Sequence, residues 1–251
     1  DPAAGRNPAT RSMTGAGERD LLVIGAGPAG LAAASEAAGL GLSVLLLDEQ
    51  GAPGGQIYRG IETAPPAVKR ILGKEYRQGS TLAEAFRQSG AEYRAGASVW
   101  RVDGDGTVAY SWNGAAVIAK GRRVLVATGA MERPVPILGW TLPGVISAGG
   151  AQTLLKSSGI VPAGRIVIAG NGPLALLIAT QLITAGADVV ALLETTEFGD
   201  YLAAAPHLPR AIQAGDYLAK GKQMRRDILR AGATICSGVA GLAATGDDRV
   251  Q

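Results

Sequence analysis

The stretch Leu21-Leu22-Val23-Ile24-Gly25-Ala26-Gly27-Pro28-Ala29-Gly30-Leu31-Ala32-Ala33-Ala34 decides the fold. Leu21–Ile24 is a short apolar run and reads as a fully buried strand. A glycine turn follows, then an alanine-rich helix from Pro28 to Ala38 that Gly39 and Gly41 terminate. Ser43–Leu47 is the next buried strand, so the segment is a βαβ unit with a parallel sheet and a right-handed crossover. Each glycine of Gly25-x-Gly27-x-x-Gly30 has a task. The first makes the tight turn, the second lets backbone approach a pyrophosphate, and the third lets helix meet strand. The amide end opened by Pro28 and Ala29 faces phosphate oxygens. Asp48 closes the second strand, where a carboxylate can accept both ribose hydroxyls of an adenosine, with Glu49 beside it as reserve. A glycine turn without a ligand is the alternative. The flanking strand, the helix, the βαβ unit and the acidic residue together argue against it.

The pattern recurs 145 positions on, from Gly25 to Gly170. Ile166–Ala169 reads as a strand, Gly170-Asn171-Gly172-Pro173-Leu174-Ala175 as a second fingerprint with Ala for the third Gly, Leu174–Ala185 as a helix and Val189–Leu193 as a strand. This is a repeated βαβ unit rather than a solenoid. Leu193 holds the position of Asp48, and Glu194 comes one residue late. Gly41 to Asp48 is seven residues, Gly186 to Glu194 eight. Either the last turn is one residue longer or the ribose contact is absent, and a nucleotide site and a structural repeat both stay open. Ile166–Ala187 carries no charge and is long enough to span a bilayer, but Gly170, Gly172 and Pro173 break it into strand, turn and helix.

Two further segments bear on a cofactor. Pro53-Gly54-Gly55-Gln56-Ile57-Tyr58-Arg59 follows the ribose carboxylate, and its glycines let the chain run close under a flat or phosphorylated ligand. Beside the first fingerprint it points to FAD. Val124-Leu125-Val126-Ala127-Thr128-Gly129 is a strand whose end can bring backbone against the dinucleotide. The candidate FAD-binding residues are Gly25, Gly27, Pro28, Ala29, Gly30, Asp48, Glu49, Gly55, Gln56, Val99, Ala127, Thr128 and Gly129. At the second fingerprint they are Gly170, Gly172, Pro173, Leu174 and Glu194, for NAD(P) or another adenine nucleotide.

Between these motifs, Ala67–Tyr76 and Leu82–Gln88 read as helices, the second opened by a Thr81-x-x-Glu84 capping box. Ala91–Ala95 is a third parallel strand. Ser98–Asp103, Thr107–Trp112 and Ala115–Lys120 form an antiparallel meander turned by Gly104-Asp105-Gly106 and Asn113-Gly114. Arg123–Ala127 returns as a buried strand. Residues 133–156 are rich in Pro and Gly and read as a crossing segment. A helix near Ala219–Arg230 and a strand at Thr234–Ser237 follow, and the chain is expected to end inside another meander. The fold expected is α/β: a Rossmann-like FAD domain with an antiparallel meander, plus an inserted second Rossmann-like NAD(P)-type domain, truncated at the C-terminus. The expected divisions are a flexible leader at 1–18, an FAD-binding part at 19–135, a crossover at 136–162 and an incomplete nucleotide-binding domain at 163–251.

Composition removes other classes. The 251 residues are 47% hydrophobic and 18% charged, which excludes a disordered chain. The net charge of +3 and an aromatic fraction of 4% argue against nucleic acid. The basic run Lys220, Lys222, Arg225, Arg226 and Arg230 falls on one helix and reads as a solvated face. A single cysteine, Cys236, excludes an internal disulfide, a CxxC pair and a structural zinc site; it is expected as a small buried hydrophobe, and a reducing cytoplasm fits. The first twelve residues lack the apolar run of a signal peptide, and Met13 fits a natural start preceded by a leader or an added stretch. The one histidine, His207, in Pro206-His207-Leu208-Pro209, reads as a loop or packing residue. No catalytic acid, base or metal ligand set emerges. Arg59 and Arg133 are candidates for phosphate or carboxylate, or solvated charge.

With these motifs the chain resembles the two-dinucleotide-binding flavoproteins, which include the pyridine nucleotide–disulfide oxidoreductases. Asp48-Glu49-Gln50 with Pro53–Arg59, and Gly129-Ala130-Met131-Glu132-Arg133-Pro134 leading to Gly139-Trp140-Thr141-Leu142-Pro143-Gly144-Val145, are similar to the larger flavin subunit of opine oxidases, hydrogen cyanide synthase and hydroxyproline dehydrogenases. The sarcosine oxidase alpha chain is a relative. The resemblance runs over about residues 19–250. It implies FAD, an NAD(P)-type domain and a hetero-oligomer whose oxidase-like partner carries the site for an amino acid or opine. The implied reaction oxidises a C–N bond, in the cytoplasm or at the inner membrane through a partner. The family's later Gly-Asp motif and iron–sulfur cysteine cluster are not in this sequence. Ala244-Thr245-Gly246-Asp247 reads as a turn instead. A stand-alone NAD(P)H-dependent flavin reductase and a non-catalytic nucleotide-binding fragment are the other readings.

Overall fold

The computed structural model describes residues 13–14 and 17–251, so most of the expected leader lies outside the described residues. The chain divides between Met131 and Glu132 into two compact units, which places the crossing segment in the second.

In the first unit, the sheet contains β1 (Met13–Thr14), β2 (Arg19–Ile24), β3 (Val44–Asp48), β4 (Glu92–Ala95), β5 (Ser98–Val102), β6 (Thr107–Trp112) and β7 (Ala115–Val126). Its order is β4-β3-β2-β7-β6-β5, with β1 beside β7. The β4-β3-β2-β7 part is parallel and β7-β6-β5 antiparallel. α1 (Pro28–Gly39) crosses from β2 to β3 as the βαβ reading requires. Side chains alternate across the central strands. Leu22, Ile24, Leu45 and Leu47 face the meander residues Val108, Tyr110 and Val117. Val23, Val44 and Leu46 face Leu31 and Ala34 of α1 and, more distant in sequence, Phe86. β3 is buried along its whole length, as an apolar run in a parallel sheet covered on both faces should be.

Two sequence expectations need correction. The break between the two helices expected over 67–88 lies at Gly73 and not after Tyr76: within α2 (Pro66–Gln88) its φ of 88° and ψ of −174°, which only glycine takes readily, separates two helical stretches across a kink. The helix runs unbroken through Thr81, so no capping box opens there. The strands expected at 115–120 and 123–127 are a single β7. Gly121 lets it pass where a Cβ would strike the Leu22 side chain, and the strand serves both parts of the sheet.

The second unit holds α3 (Ala148–Ser158), β8 (Arg165–Gly170), α4 (Pro173–Thr184), β9 (Asp188–Glu194), α5 (Phe198–Ala204), a 3₁₀ turn at Ala205–His207, α6 (Leu208–Ile212), α7 (Gly215–Arg230) and β10 (Thr234–Ser237). The strands form a parallel sheet in the order β10-β9-β8. Ile178, Ala179 and Leu182 of α4 and Ile228 of α7 close one core with Val189 and Leu192 of β9. The uncharged stretch 166–187 is thus β8, a turn and α4. No helix among the described residues is long and apolar enough to cross a membrane. α3 arises inside the segment read as a crossing loop. Ser147 accepts a hydrogen bond from the Gly150 N–H to start it, and Gly159 ends it in the left-handed conformation at φ 67°. Near the end of the chain Gly246 is at φ 149°, residues 247–249 bend, and the Gln251 N–H donates to the Thr245 carbonyl at 3.0 Å, which closes a loop where the sequence suggested a turn. The meander expected there is replaced by residues 243–250 running beside 138–143, with a bridge between Leu138 and Ala243.

Candidate functional site

The carboxyl ends of β2, β3 and β7 bring together three segments that are far apart in sequence. Ile24 pairs with Leu47 on one side and Val126 on the other. Gly25, at φ 103°, leaves β2 so close to β7 that a Cβ on it would stand 2.5 Å from the Ala127 carbonyl oxygen. A Cβ on Gly30 would drive into the Gly25 carbonyl, so the third glycine is needed for helix to meet turn. The Pro53–Arg59 segment lies directly on the fingerprint. The Gly54 N–H donates to the Ala26 carbonyl at 2.8 Å, and a Cβ on Gly55 would stand 2.7 Å from the Gly27 Cα. The glycines expected under a ligand therefore also pack on each other's backbone.

Asp48 is 9% exposed and its carboxylate is held by main chain. Oδ2 accepts from the Ala26 N–H at 2.5 Å and Oδ1 from the Gln50 N–H at 2.7 Å. One lone pair on each oxygen remains, which matches the two hydroxyls of a ribose. Glu49 is exposed beside it. Arg59 donates from Nη1 to Gln50 Oε1 at 2.8 Å and from Nη2 to Gln56 Oε1 at 3.2 Å. Its carbonyl accepts from the Tyr76 hydroxyl at 2.7 Å, and burial pushes the pKa of that hydroxyl up to about 12, so it stays a donor. Arg59 Nε is buried without a hydrogen-bond partner among the described residues.

These residues fit a dinucleotide. Gly27 caps α1 with no side chain covering the first-turn N–H groups, and nothing but the Gly55 Cα, at 3.9 Å, lies near the place its Cβ would take. Uncapped N–H groups at a helix start, an open backbone and a partly filled carboxylate are what a pyrophosphate and a ribose require. Thr128 and Gly129 are exposed at the end of β7. Val99 stands in β5 opposite Tyr110 and packs on the core.

In the second unit Gly170 and Gly172 have φ of 151° and 82°, with nothing within 4 Å of where their Cβ atoms would be. Unlike Gly25 and Gly30, their surroundings are open. The eight-residue spacing before Glu194 has a structural reason. Ile166 pairs with Val189 but Val167 with Ala191, so Val190 is the extra residue of a bulge. Glu194 then pairs with Gly170; in the first motif the last ladder pair is Ile24 with Leu47, and Gly25 and Asp48 are the residues that follow them. The extra residue lies within the strand rather than in the preceding turn. Glu194 is 8% exposed. Oε1 accepts from Arg225 Nη1 at 2.5 Å and Oε2 from the Ser237 hydroxyl at 2.8 Å. Burial works to raise its pKa, but the Arg225 and Ser237 hydrogen bonds outweigh that and hold it below the ordinary carboxylate value. Pro173 and Leu174 are exposed at the start of α4.

Arg225 and Ser237 are not among the candidates that the sequence suggests, because their roles depend on α7 and β10 packing beside β9. Arg225 leaves the solvated face expected for the basic run. Cys236 is exposed on β10, not buried, because in an edge strand its neighbour Ile235 takes the inward position. His207 sits in the exposed 3₁₀ turn and Arg133 is exposed. Among the described residues no cluster of three or more His, Cys, Asp and Glu side chains is placed to hold a metal.

A family model described as pyridine nucleotide-disulphide oxidoreductase matches residues 19–206. The chain is 49% identical over 162 residues to an opine oxidase subunit of Rhizobium meliloti, covering 64% of this chain and 35% of that protein. It is 39% identical over 166 residues to hydrogen cyanide synthase subunit HcnB of Pseudomonas aeruginosa, covering 64% and 35%. The chain therefore spans about a third of the length of these relatives. Among solved structures, L-proline dehydrogenase from P. horikoshii superposes with a TM-score of 0.58 at 22% identity, over 71% of this chain and 36% of that one. T. acidophilum thioredoxin reductase does so with a TM-score of 0.59 at 19% identity, over 93% and 68%. These structural likenesses bear on the fold.

Proposed function

The chain belongs to the pyridine nucleotide-disulphide oxidoreductase family, and on that premise we propose that it is the FAD-carrying part of a dehydrogenase subunit that oxidises the C–N bond of an amino acid or opine. Membership supports FAD with NAD(P) binding and places the chain among oxidoreductases. The likeness to opine oxidase and hydrogen cyanide synthase subunits supports the narrower substrate class and an oxidase-like partner subunit. The observation that carries the reading is the meeting of Gly25–Gly30, Gly54–Gly55 and Ala127–Gly129 at one sheet edge, with Asp48 beside them.

Gly27 and the first-turn amides of α1 bind the diphosphate. Asp48 receives the ribose hydroxyls while Ala26 and Gln50 hold its carboxylate in place. Gly55 keeps the covering loop against the turn. When bound, FAD supplies the hydride acceptor. The chain's own residues bind and orient it, and none is assigned a proton transfer.

Calorimetry of the chain with FAD tests the cofactor reading. Binding that Gly27→Val abolishes supports it; no binding, or binding indifferent to that change, overturns it. Bleaching of the flavin spectrum by an opine or amino acid, only after an oxidase-like subunit from the same source is added, tests the substrate class. Bleaching by NADH alone would favour a stand-alone reductase.

A further inference from the structure

The two nucleotide motifs hold their ribose-position carboxylates by different chemistry. Asp48 is held by two neutral main-chain N–H groups. Glu194 is held by a cation, Arg225 of α7, and a hydroxyl, Ser237 of β10. Its main chain is fixed as well: the Val239 N–H donates to the Glu194 carbonyl at 3.0 Å, and the next residue, Thr195, donates to the Gly170 carbonyl at 3.2 Å. The Glu194 side chain is 10% exposed while that of Arg225 is 40% exposed. The carboxylate is therefore the inner partner and the guanidinium the outer one, reached from solvent.

A free 2′,3′-diol needs acceptors. Each oxygen of Glu194 accepts one internal hydrogen bond and keeps one lone pair, so the pair of oxygens matches the pair of hydroxyls. A 2′-phosphate needs the reverse, donors and positive charge, and a guanidinium is the side chain best shaped for it. While Arg225 is engaged by Glu194, its charge is matched and a 2′-phosphate would meet the carboxylate. Without Glu194, the same arginine is an anion receptor.

We propose that Arg225, through its pair with Glu194, is the specificity-determining residue of the second nucleotide site. Paired, it positions the carboxylate for an adenosine nucleotide with a free ribose diol; unpaired, it turns the site to one with a 2′-phosphate. This rests on the reading that Gly170–Ala175 binds an adenine nucleotide, and it is independent of FAD at the first fingerprint.

The test is calorimetry of the whole chain with NAD+, ATP and NADP+. NAD+ and ATP share the diol and distinguish a dinucleotide from a mononucleotide source. At least one of them should bind tenfold or more tightly than NADP+. Glu194→Gln keeps the shape and a hydrogen-bond acceptor but removes the charge, and NADP+ affinity should rise at least tenfold. Adding Arg225→Met should remove that gain. NADP+ binding as tightly as the better of NAD+ and ATP in the unaltered chain, or no NADP+ gain in Glu194→Gln, overturns the proposal, and the first comparison stands even if a variant fails to fold. Failure to bind any of the three overturns the second-site reading beneath it, while FAD binding that Gly27→Val abolishes shows separately that the first site holds.

Discussion

A side-chain carbon on Gly55 would stand 2.7 Å from the Cα of Gly27, while one on Gly27 would find its nearest neighbour, the Gly55 Cα, at 3.9 Å. The relationship is asymmetric because Gly55 also sits at φ 58°, whereas Gly27 has an ordinary φ of −72°. Gly55→Ala therefore adds backbone strain and a collision with main chain that cannot move aside. It should cost about 1–3 kcal/mol of stability. Gly27→Ala should change stability by under about 0.5 kcal/mol, as substitutions free of strain or burial do, yet weaken FAD because its methyl occupies the approach to the diphosphate. Denaturant melts and FAD titrations of the two variants separate the effects; equal melting with equal loss of FAD contradicts this account.

Asp48 makes a different prediction. Its carboxylate satisfies the N–H groups of Ala26 and Gln50 at a site 9% exposed. Asp48→Ala leaves both donors without their acceptor, at about 1–3 kcal/mol for each one that water does not reach. Asp48→Asn keeps one acceptor oxygen and should lose less. Urea unfolding without cofactor checks this, since a residue serving only the ribose would leave the cofactor-free protein unchanged.

What the residues disclosed by themselves follows the range of the interactions. The first βαβ unit was legible because its strand, turn and helix are written within consecutive residues. The same holds for Thr107–Trp112 and Thr234–Ser237, whose bounds agree with the reading. The Gly73 kink was not legible, because a lone glycine in an amphipathic run is compatible with an unbroken helix. The shift in Glu194 register was visible as one surplus residue, but whether a turn or a bulge absorbs it is decided by pairing with β8. The Arg225–Glu194 pair links residues 31 apart on different elements, and no local pattern announces it. The meeting of Gly27 with Gly55 likewise emerges only once the loop after β3 folds back on the turn.

Cys236 is exposed on β10, beside Ser237. Iodoacetamide should therefore label the native chain to one equivalent without denaturant. A burial-protected thiol would react only after unfolding, so labelling that waits for denaturant would contradict its position.

The Glu194 carboxylate gives a pH signature. Its folded pKa lies below the ordinary glutamate value of 4.5 because Arg225 and Ser237 favour the charged form more than burial opposes it. A depressed folded pKa means that the unfolded chain binds the proton first as pH falls. The stabilisation is complete above about 4.5 and is lost progressively as pH falls through the lower folded value. Asp20, lowered chiefly by hydrogen bonds from Ser43, and Asp105, lowered to about 2 chiefly by Lys120, act in the same direction in the first unit. Their shared effect makes the acid limb of the whole chain composite. Glu194→Gln isolates the second unit's part. Its stability should differ from that of the unaltered chain at pH 7, and the difference should begin to shrink as pH falls below about 4.5, where the unfolded glutamate takes up its proton before the folded one. Melting curves over that range, followed by near-ultraviolet circular dichroism, measure the gap. A gap that stays constant down to pH 3 would mean that Arg225 does not hold the charge on Glu194.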